Sequence, residues 1–241
     1  MSLTTKAIKN QLKLKLNVHA DMLVYLIVLQ IIGMVLFSFS GSGQMGKGSE
    51  NFSLKFTIYS PDGIFMLSVL WIFYVAVTLT RKGTRREILP YMRTPKIDSI
   101  TDIIILIYMN AFLTFTIMLS NYLLYAILIV FTKKEFVEGI TIFNEPKVFF
   151  INTVAVFIVS MVIASIGYLI GTLIQISRLL ILVFIAFFIG YNSSKLSLFI
   201  VNYFYQQNPN FLPFAIFNIV IITFCLFVAN VIRSRMEVKG A

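Results

Sequence analysis

Long apolar stretches dominate the chain, and short polar segments separate them. A bilayer-crossing helix needs about 20 mostly apolar residues. On that measure the pattern predicts six spans, at 20–39, 62–80, 101–131, 148–172, 174–191 and 211–232. The third is long enough to tilt or to project from the bilayer. The fifth is the weakest, because its purely apolar part runs only from Leu179 to Gly190 and Gln175 and Arg178 must sit at the interface, with Arg178 snorkelling. Between the fifth and sixth, Leu196–Tyr205 is too short to cross yet apolar and aromatic, so 192–210 is expected to lie on the surface or to re-enter the membrane. Ahead of the first span, Ile8, Leu12 and Leu16 recur at helical spacing, while Leu12–Val18 also alternates like a strand. The lysines on the polar side favour an amphipathic interfacial helix. The expected fold is therefore an all-α membrane protein, residues 1–241 forming a single transmembrane domain.

Composition strengthens this reading. Apolar residues make up 59% of the 241 positions and charged residues 12%, too much apolar surface for a soluble core of this length to hide. The net charge of +10 comes from short basic runs between spans and from no separate basic domain, so it points to topology and anionic lipid, with no nucleic acid as partner. With both termini inside, the inner segments hold 14 of the 20 Lys and Arg, and the outer ones keep only Lys47, Lys55, Lys133, Lys134, Lys147 and Lys195. That bias predicts cytoplasmic N- and C-termini. The basic start leads into a full-length span and reads as a retained helix, with no cleaved signal.

The loop Arg81–Lys96 holds the most specific local pattern. Thr84 and Glu87 have the spacing of a capping box, Gly83 frees the backbone just before it, and Pro90 and Pro95 limit continuation. These signals predict a short helix within the cytoplasmic loop 81–98; Ser99 with Asp102 forms a second possible cap at the start of the third span. A basic topogenic loop with a surface helix is the plainer alternative.

The order of charge, Gly-Thr, Glu, Leu, Thr-Pro and then Ser before the next span resembles the loop after the second helix of ABC-2-type permeases. In that family it forms a coupling helix that inserts into a separate ATPase. The resemblance extends to the architecture of basic N-terminal helix, six spans and a re-entrant aromatic segment. The loop departs from the family in Arg85, Arg86 and Pro90. By this resemblance Thr84, Glu87, Ile88, Leu89 and Tyr91 are the expected coupling contacts, with Arg85 and Arg86 among them in the same loop; the aromatic Phe199, Tyr203, Phe204 and Tyr205 are the candidate outer gate. The size and the Phe- and Ile-rich spans look most like membrane subunits of bacterial phenol-soluble modulin exporters. The resemblance implies a bacterial cell-membrane permease that is not itself an enzyme. It would bind no cofactor directly, with ATP and Mg on a cytoplasmic ATP-binding-cassette partner, and would pair with a second permease copy to move amphipathic peptides.

Other features carry less. Gly41–Gly48 imitates a Walker-A loop, but Gly48 stands where Ser or Thr should hold Mg²⁺. Gly167 and Gly171 let helices approach closely, within the chain or across a dimer. Asn110, Thr114, Thr116, Ser120 and Asn121 make the third span mildly polar. His19 is the only histidine and Cys225 the only cysteine, no metal cluster is assembled, and Asp98 and Asp102 lie near a span end. Two rival readings are a permease giving immunity to antimicrobial peptides and a non-transporting membrane scaffold.

Overall fold

The computed structural model describes residues 3–40, 42–49, 52–59, 62–81, 95–131, 143, 145–176 and 211–238. These form α1 (Leu3–Val18), α2 (Ala20–Ser40), β1 (Ser42–Ser49), β2 (Phe52–Tyr59), α3 (Asp62–Thr80), α4 (Pro95–Phe131), α5 (Pro146–Ile176) and α6 (Phe211–Val238). Four helices are long and apolar enough to cross a bilayer, over Gly63–Thr80, Ile97–Leu124, Pro146–Ile176 and Phe211–Ser234. Helices α1 and α2 meet at His19, where Ile8–Val18 and Ala20–Leu36 are bent by 44° to one another. This is the make-up of a membrane protein.

Three expectations are corrected. The stretch after the first span, whose Gly- and Ser-rich composition by itself predicts a flexible loop over 40–60, is an antiparallel hairpin in which Ser42 pairs with Tyr59 and Ser49 with Phe52. Phe52, Leu54, Phe56 and Ile58 alternate with polar or smaller residues along β2, which suits a pleated strand; the glycines of β1 hid its partner. Ser42–Gly48 of the Walker-A-like stretch thus lie on a strand, with no helix opening behind Lys47. Second, α4 begins at Pro95, not at Ser99, because proline's fixed φ and missing amide suit a first helical turn. Third, α5 runs unbroken to Ile176, so no break falls between 172 and 174. The rest of the fifth span and the 192–210 segment lie outside the described residues.

Helix α5 is the hub: it packs most extensively on α3 and α6, and also on α4. The apolar core joins Ile72, Val75, Ala76 and Leu79 of α3 to Ile105, Leu106, Met109 and Leu113 of α4, with Met161, Ala164 and Tyr168 of α5. Small residues set the α3–α5 spacing. A Cβ on Gly167 would stand 3.0 Å from Phe73 and 3.1 Å from Ala76, and one on Gly171 would stand 3.1 Å from the Val77 backbone and collide with the Thr80 hydroxyl. Both glycines therefore face a helix of their own chain. Helix α1 is helical throughout but does not simply lie on a surface. Its Leu12 and Leu16 pack on the core, and its Gln11 and Lys15 are buried.

Candidate functional site

Four charged side chains meet at the end of the bundle where α1, the start of α4 and the ends of α5 and α6 come together. Asp98 and Asp102 are four residues apart, so helical geometry puts them on one face of α4, near an N-terminus whose dipole favours anions. Lys15, from the last turns of α1, donates to Asp98 Oδ1 at 2.6 Å, to Thr101 Oγ1 at 3.2 Å and to Asp102 Oδ1. Arg233, near the end of α6, donates to Asp98 Oδ2 and Asp102 Oδ2. Each cation therefore bridges both carboxylates, and each carboxylate holds both cations. Gln11 Nε2 donates to Asp98 Oδ1 at 3.3 Å, and the Tyr168 hydroxyl donates to Asp102 Oδ2 at 3.3 Å.

The ring is dry. Lys15 and Arg233 are 3% exposed, Asp98 0% and Asp102 1%. Charges at such burial persist only when paired and hydrogen-bonded, and among the described residues here the two of each sign balance. Just beyond it, His19 stands at the bend ahead of the first membrane helix. Its pKa is lowered, first by burial and then by the Lys15 charge.

Further along the helices the polar groups are neutral. Gln30 of α2 donates to Ser68 Oγ of α3 and Thr116 Oγ1 of α4, both at 3.1 Å, and Ser120 donates back to Gln30 Oε1 at 3.5 Å. Asn110 donates to the Phe157 carbonyl at 2.9 Å, joining α4 to α5. Alongside this layer α4 and α5 border an apolar groove of about 530 Å³, lined among others by Phe115, Met118 and Tyr122 of α4 and Phe149, Phe150 and Phe157 of α5.

No known family model, curated protein or solved structure matches this chain.

The residues themselves must therefore carry the functional reading. Thr84, Arg85, Arg86, Glu87, Ile88, Leu89 and Tyr91, and the aromatic set Phe199, Tyr203, Phe204 and Tyr205, lie outside the described residues. Gly167 and Gly171 are placed against α3 of the same chain. Among the described residues no group of three or more His, Cys, Asp or Glu could hold a metal ion. Sequence reasoning placed Asp98 and Asp102 near a helix end, correctly, but missed that they are buried and paired. Their four-residue spacing was the available signal; the partners, up to 135 positions away, gave none. Gln30 was also missed, although it is the one amide inside an otherwise apolar span.

Proposed function

We propose that this chain is the permease subunit of an ATP-driven exporter of amphipathic peptides or lipid-like cargo, set in a bacterial cell membrane and working as a dimer with two cytoplasmic ATPase subunits. The carrying observation is the course of α4. It is one continuous helix of 37 residues, beginning at Pro95 where the loop after α3 ends and lining the apolar groove with Phe115, Met118 and Tyr122 further on. At 1.5 Å per residue it is about 55 Å long, well beyond the roughly 30 Å hydrocarbon core. A partner that displaces the loop through Thr84–Tyr91 would act on the end of this lever. Tilting α4 against α5 would then open or close the groove.

The groove's Phe, Met and Tyr lining suits the apolar face of an amphipathic helix, whereas a sugar or small ion would find few polar partners in it. The charge bias supports cytoplasmic termini: without Lys15 and Arg233, which the ring uses, twelve basic residues remain on the inner side against six outside. ATP and Mg would be held by the partner ATPase.

The test is purification from native membranes followed by reconstitution. The reading expects a nucleotide-binding chain to accompany this protein and peptide to stimulate ATP hydrolysis. It expects Glu87→Ala with Leu89→Ala to abolish that stimulation while basal hydrolysis persists. If no nucleotide-binding chain accompanies the protein, or the double variant responds to peptide normally, the assignment is wrong.

A further inference from the structure

We infer that the Lys15–Asp98–Asp102–Arg233 ring is a latch that makes α1, the first turns of α4 and the end of α6 move as one body. Three observations carry this. The ring is cross-bridged: Lys15 takes the Oδ1 atoms of both aspartates and Arg233 their Oδ2 atoms, so the departure of either cation takes an ion partner from both carboxylates at once. Its members are 0–3% exposed, so water cannot replace a lost partner. And α1 and α6 are tied to each other through the shared carboxylates of α4, with Tyr168 of α5 bonded to the same Asp102.

A set of independent surface ion pairs would let the helices move separately at little cost. A buried ring of alternating charge behaves differently, because breaking one edge leaves an uncompensated charge for all the others. Opening is therefore all or none. Whatever displaces the start of α4 must carry α1 and the end of α6 with it, or open the whole ring. That adds to the proposed function the route by which a push on the loop reaches both ends of the chain. It rests on that function only for the source of the push.

Amide hydrogen exchange on the full chain in lipid nanodiscs tests the latch without any partner, so a failure of ATPase docking and a failure of the latch are read separately. In Arg233→Met, a change on α6 alone, exchange over residues 11–18 of α1 should rise about tenfold together with the end of α6. Arg233→Lys keeps the charge but loses the two-armed fork, and should give a smaller rise in both places. Should Arg233→Met fail to accumulate, the neutral set Lys15→Met, Asp98→Asn, Asp102→Asn and Arg233→Met removes all four charges of the ring and should restore folding, with α1 and α6 then exchanging at unrelated rates. A rise confined to α6 in the single variant overturns the inference. So does a neutral set in which α1 stays as protected as in the unaltered protein.

Discussion

Replacing Gly171 with alanine adds a single methyl group at the tightest point between α3 and α5. That methyl would stand 3.1 Å from the Val77 Cα and 3.2 Å from the Thr80 Cβ, and would overlap the Thr80 hydroxyl oxygen. The hydroxyl cannot simply rotate away, because it donates to the Val77 carbonyl at 2.7 Å. The Thr80 carbonyl is held too, by Gln175 Nε2 of α5. Relief must come from moving the helices apart. Overpacking costs about 1–3 kcal/mol, and with backbone and a held hydroxyl as the obstacles the upper part of that range, about 2–3 kcal/mol, applies; the better helix propensity of alanine returns about 1 kcal/mol, for a net of about 1–2 kcal/mol. Gly33→Ala is the matched control. Its methyl would meet chiefly the Leu67 Cδ1 at 3.1 Å, the far end of a flexible side chain, with Ile64 at 3.7 Å.

The two substitutions should therefore separate cleanly in thermal unfolding of the detergent-solubilised protein. Gly33→Ala is expected to leave the midpoint within about 2 °C, and Gly171→Ala to lower it by roughly 2–8 °C, at 2–4 °C per kcal/mol for a chain of this size. Thr80→Ala removes the clashing hydroxyl, so adding it to Gly171→Ala should recover part of the loss. Equal effects of the two alanines, or no recovery in the double variant, would refute the steric account of α3–α5 packing.

Gln30→Leu removes the amide that joins α2, α3 and α4. Ser68 and Thr116 still donate to the carbonyls of Ile64 and Leu113, so the cost in denaturant unfolding should be near 0.6 kcal/mol and below about 1.7 kcal/mol. Asn110→Asp puts a carboxylate against the Phe157 carbonyl, which accepted the lost amide proton at 2.9 Å; membrane abundance should fall sharply, while Asn110→Leu should be tolerated. His19 has a depressed pKa in the folded chain, so its contribution is present above the ordinary value of 6.5 and is lost as pH falls below it. Unfolding midpoints should drop on acidification through that range, and His19→Asn should flatten the drop.

Much of the helical framework was legible because a bilayer imposes a length. Apolar windows of about 20 residues placed α2, α3, α4, α5 and α6 with ends that differ by at most six positions from the helices observed. Sites were harder for a physical reason. The ring's members look, one at a time, like ordinary interface charges, and two of them, Lys15 and Arg233, read as topology signals. Only burial and convergence reveal otherwise, and those depend on contacts spanning 83 to 135 positions. The helical form of α1 followed from Ile8, Leu12 and Leu16. Which way Gln11 and Lys15 point depends on the 44° bend at His19, and no periodicity encodes that.

Polarity along α4 changes with depth in a way that fits a membrane and a lever together. Asp98 is the fourth residue of the helix, about 5 Å from its start, where water lies close enough to ease insertion of the charges before they pair. Thr116 and Ser120 lie some 30 Å or more along it, facing Gln30 about 15 Å into α2, where only neutral hydrogen bonds are cheap enough to keep. Alongside them the groove is lined mainly by apolar side chains such as Phe115, Met118 and Leu119, which ask for no hydrogen bond. The firm attachment thus lies at one end and the yielding, apolar packing at the other. On the proposed mechanism, a helix fastened this way would transmit displacement applied near Pro95 and deform where it borders the groove. The reverse arrangement, with charges at the groove and apolar packing at the loop, would pin the far half and let the near end slip.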